Sequence, residues 1–355
     1  MKPSVSLIPL SAIYSAVTRT RLAAYRRGWF SVSKLPAPVI SVGNLTTGGT
    51  GKTPLVERVC RMLINPGAAE AGREGKRVCV LTRGYGRDDP KTQVVVSNGI
   101  ELLAGERDAG DEPFLLAKNL LGIAAVIANP NRVAAGEWAV EKLNTEVFVL
   151  DDGFQHLSLA RDLDIVTIDA TNPWGGGSLL PYGRLREPRD GLSRADCVVI
   201  TRADQVEELA SIRAAVERLA AVPIFTSRML TSGIRNLNGQ SVVRKNILSR
   251  PLVAFCGVGN PQSFFDHLRR EGGRLAFTRT FADHHNYNQS ELDALVREAK
   301  AAGAEGLITT AKDAIKLATL DLELSCFVLE IQISIDEEER FVNIIQDTAS
   351  QNRER

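Results

Sequence analysis

The chain has 355 residues, of which 44% are apolar and 24% charged, and these values exclude a fibrous or disordered protein. Lysine and arginine total 43 against 42 acidic residues, and a net charge of +1 excludes the basic field that marks nucleic-acid-binding proteins. Five scattered cysteines and four histidines predict neither a disulfide framework nor a zinc site. The composition therefore predicts a folded, enzyme-sized protein of one large or two domains, without a nucleic-acid partner.

The first 30 residues form a segment of their own. An apolar stretch at 7–17 runs into four arginines at 19–27, and the first acidic residue of the chain is Glu57. The stretch is too short and too interrupted for a membrane-spanning helix, and its order of charges does not suit a signal peptide. Two interpretations stay open: a helix in the interface of an anionic membrane, or a helix packed on the core with a solvated basic face. The absence of acids favours the membrane.

Strand and helix patterns alternate from residue 39 onward. Short apolar runs typical of buried strands occur at 39–42, 77–81, 92–96, 124–127, 146–150, 164–168 and 196–200. Helical or loop stretches separate most of these runs, which predicts an α/β fold with a mainly parallel sheet flanked by helices.

The pattern changes after the last of these runs. Residues 223–250 contain short polar-alternating pieces with turn residues, and a second βα pattern starts at residue 251. We therefore expect an amphipathic N-terminal segment at 1–30, a core domain at 31–222, a hairpin-like linker at 223–250, and a smaller C-terminal α/β domain at 251–355.

A glycine-rich loop follows the first predicted strand. Residues 46–53 fit the Walker A pattern except that Thr46 replaces the first glycine. Glycines let backbone N–H groups surround phosphate oxygens, and the helix that begins there adds its positive end. The loop predicts a P-loop NTPase-like core that binds a nucleoside triphosphate and Mg²⁺. The residues expected to contact the nucleotide are Gly48, Gly49, Thr50, Gly51, Lys52 and Thr53, with Lys52 at the β- and γ-phosphates and the Thr53 hydroxyl on the metal.

Such a site also needs an acid at the end of a neighbouring strand. Asp151 and Asp152 follow the apolar run at 146–150, and Asp169 follows the run at 164–168. We predict Asp151 and Asp152 as the Mg²⁺ ligands, because further polar residues follow them in the same turn. Asp169 is expected to make turn hydrogen bonds instead.

Motifs spread along the chain occur in a specific order. They lie at 42–54, 83–86, 110–113, 151–156, 180–188, 283–284 and 310–313. In this combination they resemble the tetraacyldisaccharide 4′-kinases, the lipid A 4′-kinases of Gram-negative bacteria, over nearly the whole chain. The resemblance implies ATP- and Mg²⁺-dependent phosphorylation of the 4′-hydroxyl of an acylated glucosamine disaccharide 1-phosphate. It also implies that the enzyme acts at the cytoplasmic face of the inner membrane. The expected partners are the lipid and the anionic membrane surface, and no obligate protein partner is indicated.

The resemblance also implies roles for particular residues. Asp111 and His284 match an Asp–His pair, in which the carboxylate acts as a base directly or through the imidazole, and Lys52 completes the catalytic set. Whether Asp111 works alone, and whether His284 or His285 supplies the ring, stay open. The implied headgroup-binding residues are Arg186 and Glu187, for which an exposed ion pair is the alternative.

A hypothesis from another class is a P-loop GTPase switch or a nucleotide-dependent chaperone. The sequence from Thr201 to Asp204 follows a predicted strand, where similar GTPases carry their guanine-reading motif. Arg202 stands where that motif has lysine, which weakens the match.

Overall fold

The structure, a computed structural model, describes residues 7–64 and 76–351. Residues 1–6 of the predicted N-terminal segment lie outside the described residues. The chain divides into two compact units. Unit 1 comprises the residues up to Met229 and those from Ile333 onward, and unit 2 comprises Leu230–Gln332.

The strands follow the predicted apolar runs closely in the first half of the chain. They are β1 (Val39–Asn44), β2 (Val78–Thr82), β3 (Val94–Ser97), β4 (Ala124–Ala128), β5 (Val147–Asp151), β6 (Leu163–Asp169), β7 (Cys197–Thr201), β8 (Ile224–Asn236), β9 (Ser241–Val242), β10 (Pro251–Cys256), β11 (Arg274–Thr280), β12 (Gly306–Thr310) and β13 (Cys326–Ile335).

The helices separate these strands as the α/β pattern requires. They are α1 (Ile8–Arg26), α2 (Lys52–Ile64), α3 (Glu106–Ala109), α4 (Asp111–Asn119), α5 (Arg132–Leu143), α6 (Leu209–Glu217), α7 (Arg244–Leu248), α8 (Pro261–Arg270), α9 (Gln289–Ala301), α10 (Ala311–Lys316) and α11 (Glu338–Ser350).

The sheet of unit 1 has the order β8-β7-β6-β1-β5-β2-β4-β3. Its neighbouring strands pair in parallel, except that β3 runs antiparallel to β4. Alternate residues of β1 face opposite sides: Ile40 packs with Leu55 of α2, and Val39 packs with Ala135 of α5. The predicted mainly parallel sheet with helices on both faces is confirmed.

Unit 2 contains a smaller parallel sheet. Strand β10 pairs with β11 and with β12, and β12 pairs with β13, all in parallel. Leu252 packs with Leu268 of α8, while the next residue, Val253, packs with Leu295 of α9. The two helices therefore cover opposite faces of this sheet.

The expected domain limits differ from the units of the structure. The proposed linker at 223–250 contains the long strand β8, whose first residues pair with β7 and whose last residues pair with β9. The chain after Gln332 returns to unit 1 and does not stay in the smaller unit. The reason is apolar burial: Phe341 and Ile345 of α11 are fully buried in the same cluster as α2.

Candidate active site

The candidate site of unit 1 lies where its parallel strands end. The phosphate loop follows β1, Arg83 follows β2, and Asp152 follows β5. Because β1, β5 and β2 pair in parallel, their carboxyl ends lie at the same edge of the sheet. Loops at this edge are where open α/β sheets bind ligands.

Buried hydroxyl and amide groups hold the phosphate loop in place. The Asn44 side-chain amide donates to the Thr46 carbonyl at 2.6 Å and to Thr50 Oγ1 at 2.9 Å. The Thr50 hydroxyl also lies 2.9 Å from Thr167 Oγ1, and the Thr201 hydroxyl donates to the Thr50 carbonyl at 2.9 Å. Thr50, which sequence reasoning expected to contact the nucleotide, thus ties the loop to β6 through its side chain and to β7 through its backbone carbonyl.

The glycines of the loop differ in backbone conformation and in the space around them. Gly48 and Gly51 have φ angles of +114° and +82°, a region that disfavours any side chain. Gly49 has open space around the position of a Cβ atom. Helix α2 begins at Lys52, so its unpaired N–H groups and positive end point towards the loop as the sequence predicts.

Asp152 joins the phosphate loop to a distant segment. Its backbone is left-handed at φ 55°, and its carboxylate lies 3.4 Å from Lys52 Nζ. Arg186 Nη1 donates to both carboxylate oxygens, at 2.7 and 2.6 Å. Burial by itself raises the pKa of Asp152, but Lys52 and Arg186 outweigh it and lower this pKa to about 2. Asp152 is therefore a fixed negative charge between two cations.

Asp151 lies in different surroundings although it is the adjacent residue. It is 4% exposed and accepts a hydrogen bond from the Thr82 hydroxyl at 3.1 Å. Burial raises its pKa to about 7, and the negative charges of Glu112 and Asp152 add to the shift. The two adjacent carboxyl groups therefore have pKa values shifted in opposite directions.

Glu187 has a different environment from the one expected. Its buried carboxylate accepts hydrogen bonds from Arg194 Nη1 at 2.8 Å and from Gln155 Nε2 at 2.8 Å. The same Gln155 amide donates to the Asn44 carbonyl at 2.8 Å. Glu187 is therefore buried and helps to position the loop, which contradicts the alternative of an exposed ion pair; its role in headgroup binding stays a prediction from the family resemblance. Arg186 remains a candidate ligand.

Backbone pairing explains how Arg186 comes to the loop. The Arg186 N–H donates to the Leu45 carbonyl at 2.8 Å, and the Thr47 N–H donates to the Arg184 carbonyl at 2.7 Å. The two segments thus form a short antiparallel bridge.

Asp111 begins α4 in unit 1 and is 8% exposed. Gly110 before it has a φ of +85°, and a Cβ there would lie 2.3 Å from the Tyr85 carbonyl oxygen. Gly110 and the first turn of α4 therefore pack directly on the loop at 83–86, as only glycine allows at this position. Both family-like motifs meet at one place in unit 1.

The sequence analysis missed Arg132, which follows β4 at the same edge of the sheet. It is 5% exposed, and its positive charge acts on Asp151 and Asp152. Its position after the apolar run at 124–127 was a signal that could have found it.

Helix α1 docks on unit 1 through one of its faces. The Ser11 hydroxyl donates to the Leu179 carbonyl at 2.9 Å, and the Tyr14 hydroxyl donates to the Arg186 carbonyl at 2.9 Å. A second stripe of the helix stays exposed and apolar, with Leu10, Ile13 and Val17 at 51%, 61% and 59% exposure. Among residues 7–64 and 76–351, no helix has the length and apolar character to cross a membrane.

Unit 2 carries the two adjacent histidines. The His285 ring stacks on Phe281 with centroids 4.9 Å apart, and its Nε2 lies 3.1 Å from Glu291 Oε2. His284 has a φ of 60°, and Lys312 Nζ lies 3.1 Å from its Nε2. His285 therefore belongs to the packing of unit 2, whereas His284 is the more exposed ring of the two.

Arg202, which stands at the lysine position of the GTPase-like motif, forms a buried ion pair with Asp169. Arg202 Nη1 binds Asp169 Oδ2, and both side chains are largely buried. Asp169 also accepts hydrogen bonds from the Thr171 N–H and hydroxyl, at 3.0 and 2.7 Å. The expected turn hydrogen bonds of Asp169 are confirmed, and its carboxylate also holds the Arg202 side chain.

The sheet, the phosphate loop and the strand-end carboxylates define a P-loop enzyme of the kinase type. The family model described as LpxK, tetraacyldisaccharide-1-P 4′-kinase, matches residues 3–350. The chain belongs to this family, whose members are kinases.

Relatives with the name tetraacyldisaccharide 4′-kinase agree with this assignment. One from Geobacter metallireducens is 44% identical over 312 residues, 88% of this chain and 88% of the relative. One from Geobacter sulfurreducens is 43% identical over 323 residues, 89% of this chain and 84% of the relative. A crystal structure of LpxK from Aquifex aeolicus in complex with ATP has a TM-score of 0.75 at 33% identity, covering 97% of this chain and 98% of that one.

His156 gives a pH-dependent prediction for stability. Burial, reinforced by Arg132 and other nearby arginines, lowers its pKa from 6.5 to about 4. Because the unfolded chain then binds the proton more tightly than the folded chain, this contribution to stability is present above pH 6.5 and is lost as the pH falls towards 4.

We expect wild type to lose more free energy of unfolding over this acid range than the variant His156→Gln. Urea unfolding of both proteins at matched pH values measures the difference. Parallel curves for the two proteins would show that His156 has no such linkage.

Proposed function

We propose that this protein transfers the γ-phosphate of ATP to the 4′-hydroxyl of a tetraacyldisaccharide 1-phosphate, the lipid A precursor, while held at a membrane surface. The observation that carries the proposal is the contact of Asp152 with both Lys52 and Arg186. It joins the phosphate loop to the segment at 180–188, in a chain of the 4′-kinase family.

The chemistry needs positive charge around the phosphoryl group and a base for the acceptor hydroxyl. In our proposal the acceptor oxygen attacks the γ-phosphorus, the bond to the β-phosphate oxygen breaks, and ADP leaves. Backbone N–H groups of the loop and the Lys52 ammonium stabilise the negative phosphoryl oxygens during this exchange. Asp152 keeps Lys52 oriented towards the loop before the nucleotide arrives.

The residues beside the loop fit a magnesium ion. Mg²⁺ prefers oxygen ligands and is commonly held by one or two carboxylates together with substrate phosphates. Asp151, Asp152 and the Thr53 hydroxyl are oxygen donors of this kind. Burial, and then the negative charges of Glu112 and Asp152, raise the pKa of Asp151, and a bound cation would favour its charged form. When bound, the ion would neutralise charge on the β- and γ-phosphates.

Asp111 is the base in this proposal. It would accept the proton of the 4′-hydroxyl, and its burial beside the loop at 83–86 favours a fixed orientation. His284 as its helper stays a prediction from the family resemblance.

The exposed stripe of α1 supports the membrane part of the proposal. The stripe lies on the helix whose Tyr14 hydroxyl donates to the Arg186 carbonyl, so a hydrogen bond connects the element with the apolar surface to the site segment. Apolar side chains in the interface and arginines near anionic headgroups would both favour binding to the cytoplasmic leaflet.

The phosphate loop gives the first kinetic prediction. We expect Lys52→Ala and Thr53→Ala each to lower phosphate transfer by about 10²-fold or more, because each removes a group that stabilises the transferring phosphate or its metal. The assay uses ATP, Mg²⁺ and detergent-dispersed disaccharide 1-phosphate lipid. Arg61→Ala, an exposed change later in α2, is the matched control and should retain activity. Wild-type turnover in both loop variants would remove the proposal.

The base gives the second kinetic prediction. Asp111→Ala and His284→Ala should each lower kcat by about 10²-fold or more, and the double variant should lose far less than the product of the two effects, because paired groups act as one unit. ATP binding, measured by calorimetry, should change little. Losses that multiply would mean that the two residues act independently.

The membrane surface gives a third prediction. Ile13→Ser combined with Val17→Ser should weaken sedimentation with vesicles of anionic phospholipid, since each apolar side chain withdrawn from water contributes about 1.5–3 kcal/mol. Unlike deletion of the segment, this variant keeps the Ser11 and Tyr14 contacts.

The control for the membrane experiment is Ile100→Ser, which changes a side chain that is 85% exposed elsewhere in unit 1. It should sediment as wild type does. If the α1 double variant also sediments unchanged, α1 is a docked helix and not a membrane contact.

A further inference from the structure

A group of hydrogen-bonded side chains lies at the carboxyl ends of β10 and β12 in unit 2. Gly257 follows β10, and Thr310 ends β12 and caps α10, its hydroxyl accepting from the Asp313 N–H at 3.2 Å. The family-like motif at 310–313 therefore forms the first turn of α10. The reaction described above gives Lys312, in the middle of this motif, no role.

Asp313 anchors that turn. It is 1% exposed, and its Oδ1 accepts from the Gly257 N–H at 3.0 Å and from the Tyr287 hydroxyl at 2.9 Å. Its Oδ2 accepts from the Thr310 hydroxyl at 2.6 Å. Burial and the Asp313 charge raise the pKa of Tyr287, which keeps its hydroxyl a donor. The backbone that carries Lys312 is thus fixed from several sides.

The same anchored region holds the backbone of His284. The His284 N–H donates to the Gly257 carbonyl at 3.2 Å, and the residue has the left-handed φ of 60°. A left-handed backbone at a residue other than glycine is uncommon and is retained where the surroundings impose it. Here it brings the imidazole to Lys312.

Lys312 contacts the ring directly. Its Nζ lies 3.1 Å from His284 Nε2 and 3.4 Å from Asp283 Oδ1, and the lysine side chain is 15% exposed. An ammonium group only donates hydrogen bonds, so Nε2 must be the acceptor in this contact. A neutral imidazole with Nε2 as acceptor carries its proton on Nδ1.

We infer that Lys312 is a positioning residue for His284, which it holds in the tautomer with the proton on Nδ1. The inference rests on the proposed function in one respect, namely that His284 contributes to phosphate transfer. Lys312 acts on the reaction through the ring: it fixes the ring orientation and leaves Nδ1–H as the donor that a carboxylate can accept.

The tautomer can be measured without any activity. In the full-length protein labelled with ¹⁵N-histidine, above the pH range in which imidazole is protonated, NMR should show the Nδ1–H form for His284. The variant His284→Gln assigns the signal among the four histidines. An Nε2–H form in wild type would by itself overturn the inference, even if no lysine variant folds.

Lysine variants test the cause of that tautomer. Lys312→Met should convert His284 largely to the Nε2–H form that free imidazole side chains prefer, and Lys312→Arg, which keeps a donor, should preserve Nδ1–H. Lys316→Met is the matched control, because this lysine lies on the same helix and donates to the His285 carbonyl. An unchanged tautomer in Lys312→Met would overturn the inference.

Kinetics separate positioning from a general structural role. Lys312→Met should lower kcat by about tenfold or more, up to the roughly 10²–10⁴-fold that a general base contributes, with little change in KM for ATP. Lys312→Arg should recover part of the loss. In the His284→Ala background, Lys312→Met should cost less than about twofold, because its effect passes through the ring.

The NMR and kinetic experiments together distinguish failure of the inference from failure of the proposed function. Losses that multiply in the double variant would show that Lys312 acts independently of His284, and the inference would be wrong while the kinase function stands. If wild type transfers no phosphate to the lipid, the proposed function fails, and the NMR result alone decides whether Lys312 fixes the ring.

Discussion

The negative charge of Asp152 is the feature on which the arrangement of unit 1 depends. Its carboxylate binds Lys52 at the start of the phosphate-loop helix and Arg186 in a segment far along the chain. These contacts are largely shielded from water, so loss of one partner would leave a poorly compensated charge. The ion pairs therefore hold the two segments in register.

A second layer of contacts supports Arg186. Glu187 is bound by Arg194, whose guanidinium also lies 4.3 Å from the centre of the Phe154 ring. Tyr14 of α1 fixes the Arg186 carbonyl from the other side. The candidate membrane helix, the candidate substrate segment and the phosphate loop are thus linked by hydrogen bonds and ion pairs, which is a physical reason for an enzyme of lipid substrates to keep α1 in contact with its site.

In unit 2, too, one buried carboxylate connects several segments of the chain. One buried carboxylate, Asp313, fixes the turn after β10, a tyrosine hydroxyl and the start of α10. Lys312 and His284 then meet as neighbours of this anchored group. In the motif at 310–313, which forms the first turn of α10, Lys312 is the side chain that contacts the His284 ring.

Local patterns in the sequence were sufficient for most of the fold. The apolar runs predicted β1, β4 and β5 within about two residues, and the glycine loop with Lys52 predicted the start of α2. These features depend on periodicity, glycine and proline, which act within a few residues. The strand-end aspartates and the family resemblance were also visible in the order of the residues.

Only the tertiary structure decided which of those residues meet. The order of the residues did not indicate that Asp152 would lie between Lys52 and Arg186 or that Glu187 would be buried, because these contacts join segments that are far apart in the chain. The sequence analysis also missed the return of α11 to unit 1. Phe341 and Ile345 are apolar residues of the kind found on any amphipathic helix, and only the structure shows that they pack in the same cluster as α2. The sequence by itself determined the local elements and the chemical groups; long-range packing and charge compensation determined where those groups act.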